Sequence, residues 1–121
     1  MTKGDKVLKI GIMSRQEFVK RTIAIANGEV KPNPDEPDIW FESLQSAAQV
    51  LSNDNKNLLK VIVEQCPKSL KELEHLSGRK SSSLSRTLKT MERYGLIELV
   101  KENRQLKPVV KATQFQVEMS L

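Results

Sequence analysis

The amino-acid sequence predicts an α+β fold that is mainly α. Apolar residues recur at helical spacing through most of the chain between residues 14 and 94. A short run near each terminus instead alternates apolar and polar residues, which is typical of a strand. Two further strands are expected after residue 95, separated by a polar turn. We therefore expect a helical core with a β-hairpin and additional N- and C-terminal strands.

The first 38 residues are expected to form an N-terminal arm and a linker. Lys6–Ile12 alternates as a strand, and Ser14 with Glu17 has the capping-box pattern that opens a helix. That helix should run to about Asn27. The segment Val30–Asp38 holds three prolines among acidic residues, which excludes a regular element and predicts a linker or mobile loop.

Residues 39–121 are expected to form the main domain. Asp38 can cap a helix that begins at Ile39 and includes Trp40 and Phe41, two aromatics that we assign to the core rather than to a pocket. A polar break over Ser52–Asn55 should precede a helix over residues 57–65, which Pro67 would end.

Two helices around a tight turn are predicted between residues 69 and 95. Ser69 with Glu72 forms a second capping box, and the helix that follows has a buried stripe of leucines at positions 70, 73 and 76. Gly78 permits a sharp turn. The serine run at 81–83 suits the first turn of the next helix, which Gly95 ends.

The second of these helices has one apolar and one basic face. At about 100° per residue, Leu84, Leu88 and Met91 lie opposite a sector about 60° wide. That sector holds Ser82, Arg86, Lys89 and Arg93, with Ser85 at its edge. A helix in the DNA major groove needs such short hydroxyls and cations, which meet base edges and phosphates.

A β-hairpin is expected directly after Gly95. Its strands are Leu96–Val100 and Leu106–Lys111, joined by the polar turn Lys101–Gln105. A terminal strand with an apolar face should follow over residues 115–121. Helix, turn, helix and hairpin in this order predict a winged helix-turn-helix.

The Leu-x-x-Leu pattern of the first helix and the segment SRTLKTMERYGLI, residues 85–97, resemble the MarR and ArsR groups of bacterial and archaeal regulators. The resemblance implies base contacts from the start of the second helix and a wing tip over residues 101–104. Lys80 departs from the usual Ser or Thr cap, and 121 residues are too few for long flanking dimerisation helices. The predicted DNA-binding residues are Ser69, Lys80, Ser81, Ser82, Ser83, Ser85, Arg86, Lys89, Lys101 and Arg104.

The distribution of charge supports this assignment. The chain carries a net charge of +5, and its excess is local: from Lys68 to Lys111, eleven Lys or Arg outnumber five Glu, whereas residues 1–67 carry nine of each sign. A basic excess confined to one motif favours nucleic acid as the partner.

Enzymatic interpretations find little in the sequence. His75 is the sole histidine and Cys66 the sole cysteine, which is too few for a zinc site or a nucleophile with its base. We expect His75 to be a partly exposed helix residue and Cys66 to be a buried, reduced thiol. Asp35, Glu36 and Asp38 are interpreted as a solvated acidic loop. We assign no catalytic residue, metal ligand or cofactor.

The expected function is a sequence-specific DNA-binding regulator in the cytoplasm, since no signal peptide or membrane span is evident. It would repress by occupying an operator as a homodimer, and the two terminal strands would pair, within one subunit or between two, to build that dimer. The overall layout also resembles small regulators that include antitoxins encoded beside a toxin. The alternative is a protein-interaction module in which the arm and acidic linker capture a basic partner such as a toxin.

Overall fold

The computed structural model describes residues 7–32 and 34–121. The predicted start of the first strand at Lys6 lies outside these residues. The described part is an α+β structure with five helices and five strands. In chain order the elements are β1 Val7–Ile12, α1 Arg15–Ala26, β2 Ile39–Phe41, α2 Leu44–Val50, α3 Asn53–Gln65, α4 Leu70–Ser77, α5 Ser81–Tyr94, β3 Ile97–Glu102, β4 Gln105–Val110 and β5 Gln114–Met119. None of the described helices is long and apolar enough to cross a membrane.

Both terminal strands belong to one parallel sheet. The strand order is β2-β1-β5, and β1 pairs with both neighbours. Ile10 in β1 lies opposite Ile39 and Val117, so these side chains share one face of the sheet. Leu8 and Ile10 are buried on that face. The predicted pairing of the terminal strands is thus observed within one chain.

The predicted helix start at Ile39 is wrong, because Ile39–Phe41 forms β2 instead. The β-branched and aromatic side chains of this segment suit a strand that lies beside β1. Asp38 does not cap a helix: its carboxylate accepts a hydrogen bond from the Lys9 N–H at 3.0 Å, and its own N–H donates to the Lys9 carbonyl at 2.8 Å. The helix begins only at α2, where Ser43 is the N-cap.

Helix α1 and the acidic loop lie against Trp40. A Cβ atom at Gly11 would come within 2.5 Å of the Trp40 ring, so only glycine leaves room for this ring beside β1. The guanidinium carbon of Arg21 lies 5.6 Å from the Trp40 ring centroid, and Phe18 packs at 6.2 Å between centroids. Arg21 also pairs with Glu36. The loop therefore contacts both α1 and β1. Asp35 and Asp38 are exposed, as expected for a solvated acidic loop, and Glu36 is half-buried. That the segment is a linker or mobile loop stays a prediction.

The first helix of the helical core begins earlier than predicted. Ser52 is an N-cap whose hydroxyl accepts from the Asn55 N–H at 3.3 Å, so the expected polar break is the first turn of α3. The helix ends at Cys66, which has a φ of 48° and precedes Pro67. Cys66 is exposed, contrary to the prediction of a buried thiol, because the left-handed cap turns this residue away from the core.

One hydrophobic core joins the sheet to the helices. It includes residues from the three-stranded sheet, from helices α2 to α5 and from the hairpin, namely Leu8, Ile10, Ile39, Phe41, Ala47, Leu58, Leu59, Ile62, Leu73, Leu84, Leu88, Met91, Leu96, Ile97, Val110 and Ala112. Phe41 stacks on Tyr94 at 4.3 Å between ring centroids, which connects β2 directly to the end of α5. The predicted leucine stripe of α4 is only partly buried, since Leu73 is fully buried but Leu76 is exposed.

The hairpin has a shorter turn than the sequence suggested. Glu102 pairs with Gln105, so the turn contains only Asn103 and Arg104, with φ angles of 53° and 66°. Positive φ at both central residues is the geometry that matches the twist of paired strands. Lys101 and Gln105, predicted in the turn, therefore belong to β3 and β4.

Candidate nucleic-acid interface

Helix α5 presents a fixed face to solvent. Leu84, Leu88 and Met91 are buried, which sets the rotation of the helix about its axis. Gly95 ends the helix at a φ of 84°, and the Leu96 N–H then donates to the Met91 carbonyl at 2.9 Å. The face opposite these apolar residues consequently points outward along the full length of α5.

The outward face of α5 carries the predicted hydroxyls and cations. Ser82, Arg86 and Lys89 are exposed and Ser85 is half-buried, as the helical spacing predicts. Arg93 is also exposed, but its guanidinium carbon lies 5.7 Å from the Tyr94 ring centroid, at the far end of the helix. The face thus combines short polar side chains near its start with long cationic side chains along its length.

The start of α5 is electropositive for a second reason. No acidic residue lies in its first turn, and the N-cap Lys80 makes no side-chain capping bond. Ser81, Ser82 and Ser83 are all exposed there. Free backbone N–H groups at a helix start carry partial positive charge and favour an anion. A phosphate near this end would meet N–H groups, hydroxyls and the Lys80 ammonium together.

The remaining predicted residues lie on other elements. Lys101 on β3 and Arg104 at the tip of the hairpin are both exposed. Ser69 is the N-cap of α4, where its hydroxyl accepts from the Glu72 N–H at 3.1 Å. The Glu72 carboxylate accepts from the Lys68 N–H rather than from that of Ser69, so the capping box is shifted by one residue. Ser69 therefore has a structural use as a helix cap.

Sequence reasoning missed the pair that braces the turn before α5. The Arg79 guanidinium donates to the Asn55 side-chain oxygen at 3.2 Å and to the Asp54 carbonyl at 2.7 Å. The Asn55 amide in turn donates to the Val50 carbonyl at 3.0 Å. These bonds tie the turn between α4 and α5 to the ends of α2 and α3. Arg79 is consequently a positioning residue for the outward face of α5.

A polar groove of about 630 Å³ lies beside this brace. Its walls come from the start of α3 and the turn before α5, and they include Ser52, Asn57, Lys80 and Ser83. The groove opens next to the first turn of α5. It therefore extends the polar, hydrogen-bonding surface of the candidate interface.

A family model named HVO_A0114 matches residues 50–117, which is more than half of the chain. This range holds α3, α4, α5 and the hairpin, together with most of β5. The chain belongs to the HVO_A0114 family. No curated protein and no solved structure matches it.

The match of the HVO_A0114 family covers all ten predicted site residues, since α4, α5, β3 and the hairpin turn lie inside it. Helix α1 and strand β1 lie outside it.

Within residues 7–32 and 34–121 of this HVO_A0114 chain, no three His, Cys, Asp or Glu side chains lie close enough to hold a metal ion. His75 is exposed on α4, as predicted.

Proposed function

We propose that this chain is a sequence-specific DNA-binding transcriptional regulator with a winged helix-turn-helix. Helices α4 and α5 would form the helix-turn-helix, and the β3–β4 hairpin would form the wing. The observation that carries the proposal is the outward face of α5, where exposed serines, Arg86 and Lys89 lie opposite a fully buried apolar face.

In this proposal α5 enters the major groove, which is about 12 Å wide and admits a helix. Arg86 with its neighbouring serines, Ser82 and Ser85, would read base edges. Lys80 and Lys89 would contact phosphates on either side, because ammonium groups neutralise backbone charge without reading sequence. Lys101 and Arg104 of the hairpin would contact the adjacent backbone.

A repressor that works by occupying its operator is the form we favour. As a two-fold dimer it would place two copies of α5 about one DNA turn apart, roughly 34 Å, on a near-palindromic site. Strands β1 and β5 pair inside one chain, and β5 lies at the edge of the sheet. An antitoxin that regulates its own gene fits the same proposal.

The alternative is a protein-interaction module that captures a partner such as a toxin without specific DNA binding. The two functions differ in their response to salt. When DNA binding uses several phosphates, the logarithm of the binding constant falls with the logarithm of the salt concentration, with a slope of about 0.9 per phosphate contact. The affinity of a largely apolar protein interface changes little with salt.

The test is a fluorescence-anisotropy titration of DNA from upstream of the protein's own gene and of unrelated DNA, at two salt concentrations. Arg86→Ala should weaken binding to the upstream DNA by about 1 to 3 kcal/mol, because one guanidinium that reads a base edge is lost. Lys60→Ala on α3 is the matched control, since it removes an exposed cation outside α5 and the hairpin.

The regulator proposal would be supported if the protein binds the upstream DNA tightly and in a salt-sensitive way. Arg86→Ala should then weaken this binding, and Lys60→Ala should preserve it. Equal, weak binding of all three proteins to both DNAs would contradict it and would favour the interaction module.

A further inference from the structure

Helix α1 is exposed to solvent on the side that faces away from Trp40. None of its 12 residues is buried. Its inner side rests on Trp40 through Phe18 and Arg21. On its outer side Val19 is 46% exposed and Ile23 is 54% exposed. A solvated helix face is normally polar, so an apolar outer face on a helix already anchored by its inner face indicates a second contact.

The outer apolar residues form one stripe. Val19, Ile23 and Ala26 follow the spacing i, i+4, i+7, which places them within a sector of about 60°. Arg15 lies at the N-terminal end of this face, about 20° outside the sector. At the other end, the last turn of α1 holds no basic residue, and Glu29 follows the C-cap at Asn27. We call Arg15, Val19, Ile23 and Ala26 the α1 stripe.

We propose that the α1 stripe binds the α1 stripe of a second copy of this chain, with the two helices antiparallel about a two-fold axis. If the axis passes midway between Val19 and Ile23, Val19 packs against Ile23 of the partner subunit. Arg15 then lies opposite Asn27 of the partner subunit, because twelve residues span about 18 Å along a helix.

Charge complementarity selects a second copy as the occupant. The N-terminal end of the stripe is cationic through Arg15, and the C-terminal end has the negative end of the helix dipole and, beyond the C-cap, the Glu29 carboxylate. An antiparallel copy matches cation to anion at both ends at once, as a self-complementary two-fold interface requires. A uniformly basic partner would be repelled by Arg15, and a uniformly acidic partner would be repelled by Glu29.

The stripe is short for a stable interface, which takes about 800 Å² from each partner. The dimer is therefore weak in isolation and is strengthened when both copies hold adjacent half-sites on one DNA. In this use the inference rests on the proposed function. The association itself is measured without DNA, so the two claims fail separately.

The test is sedimentation equilibrium of the full chain across the micromolar range, without DNA. Ile23→Lys should raise the dimer dissociation constant by about 100-fold or more, because two apolar contacts are lost per dimer and each new ammonium group lies against Val19 of the partner subunit. Met119→Lys on β5 is the matched control, since Met119 is an equally accessible apolar residue at 58% exposure. Far-UV circular dichroism should show that both variants fold, as neither side chain is buried.

A charge exchange tests the antiparallel geometry. Arg15→Glu and Glu29→Arg should each weaken the dimer several-fold, and the double variant should restore it. A monomeric wild type, a dimer unaffected by Ile23→Lys, a dimer lost in Met119→Lys instead, or a double variant weaker than either single variant would each overturn the proposal. A dimer without DNA binding would instead overturn only the regulator.

Discussion

Two helices of this molecule, α5 and α1, each pack one side and expose the other, yet their exposed sides differ in kind. The outer face of α5 carries serines and cations, whereas the outer face of α1 carries Val19 and Ile23. Cations and hydroxyls on a helix suit a polyanion, and apolar side chains suit another protein surface. The same secondary structure therefore indicates two kinds of partner at two places on one chain.

The two helices also differ in how firmly they are held. Three residues of α5 are buried in the core, whereas α1 has none and depends on Trp40 and on the pair Arg21–Glu36. A helix with few buried contacts opens at lower free energy than one inside the core. We infer that α5 is the rigid platform and that α1 becomes firm once its outer stripe is covered.

The largest predicted effect tests whether the sheet beneath α1 and the helical region of α5 behave as one unit. Phe41→Ala should reduce the free energy of unfolding by about 3 to 5 kcal/mol, because a buried ring that stacks on Tyr94 is lost. Urea denaturation followed by circular dichroism should show a single transition at a lower midpoint. Two separate transitions would break the account of one shared core.

A smaller effect concerns the tip of the hairpin. Arg104 has a φ of 66°, a conformation that costs most residues other than glycine about 1 to 2 kcal/mol. Arg104→Gly should therefore stabilise the protein by about 0.5 to 1 kcal/mol in thermal denaturation. If the hairpin is a wing, the same variant should bind DNA more weakly and lower the salt slope by about 0.9, because one phosphate contact is lost.

Asn103→Gly is the control for that variant, because it relaxes the neighbouring residue and keeps the Arg104 cation. Its gain in stability should be smaller, since asparagine tolerates positive φ better than arginine does, and its DNA affinity should match that of wild type. A loss of affinity in both variants would assign the effect to the shape of the turn rather than to the cation.

Sequence reasoning succeeded where structure is encoded locally. The caps Ser14, Ser69 and Gly95 lie next to the helices they begin or end, and each was predicted as a cap. Gly78 was predicted as a turn residue, and it is the C-cap of α4. Strand β2 was missed because it is a strand only through its pairing with β1. The contact between Lys9 and Asp38 beside this pairing joins residues that are 29 apart in sequence. An apolar run of three residues cannot reveal such a partner by its own periodicity.

The candidate site follows the same division. The cations and hydroxyls of α5 were predicted because one helical period orders them all. The brace between Arg79 and Asn55 was missed, since it joins residues 24 apart through side chains that have no periodic signature. The exposed apolar face of α1 could not be predicted either. Phe18 and Ile23 are both large apolar residues, and only the position of Trp40 decides which of them faces inward.

The most direct test of the central claim is an NMR titration of ¹⁵N-labelled protein with a duplex from upstream of its gene. If α5 and the hairpin bind DNA, the amide signals of residues 80–93 and of the hairpin turn should shift on addition of DNA. Signals of Val19 and Ile23 should instead shift with protein concentration in the absence of DNA. Shifts on DNA addition that centre on α1 and spare α5 would contradict the account.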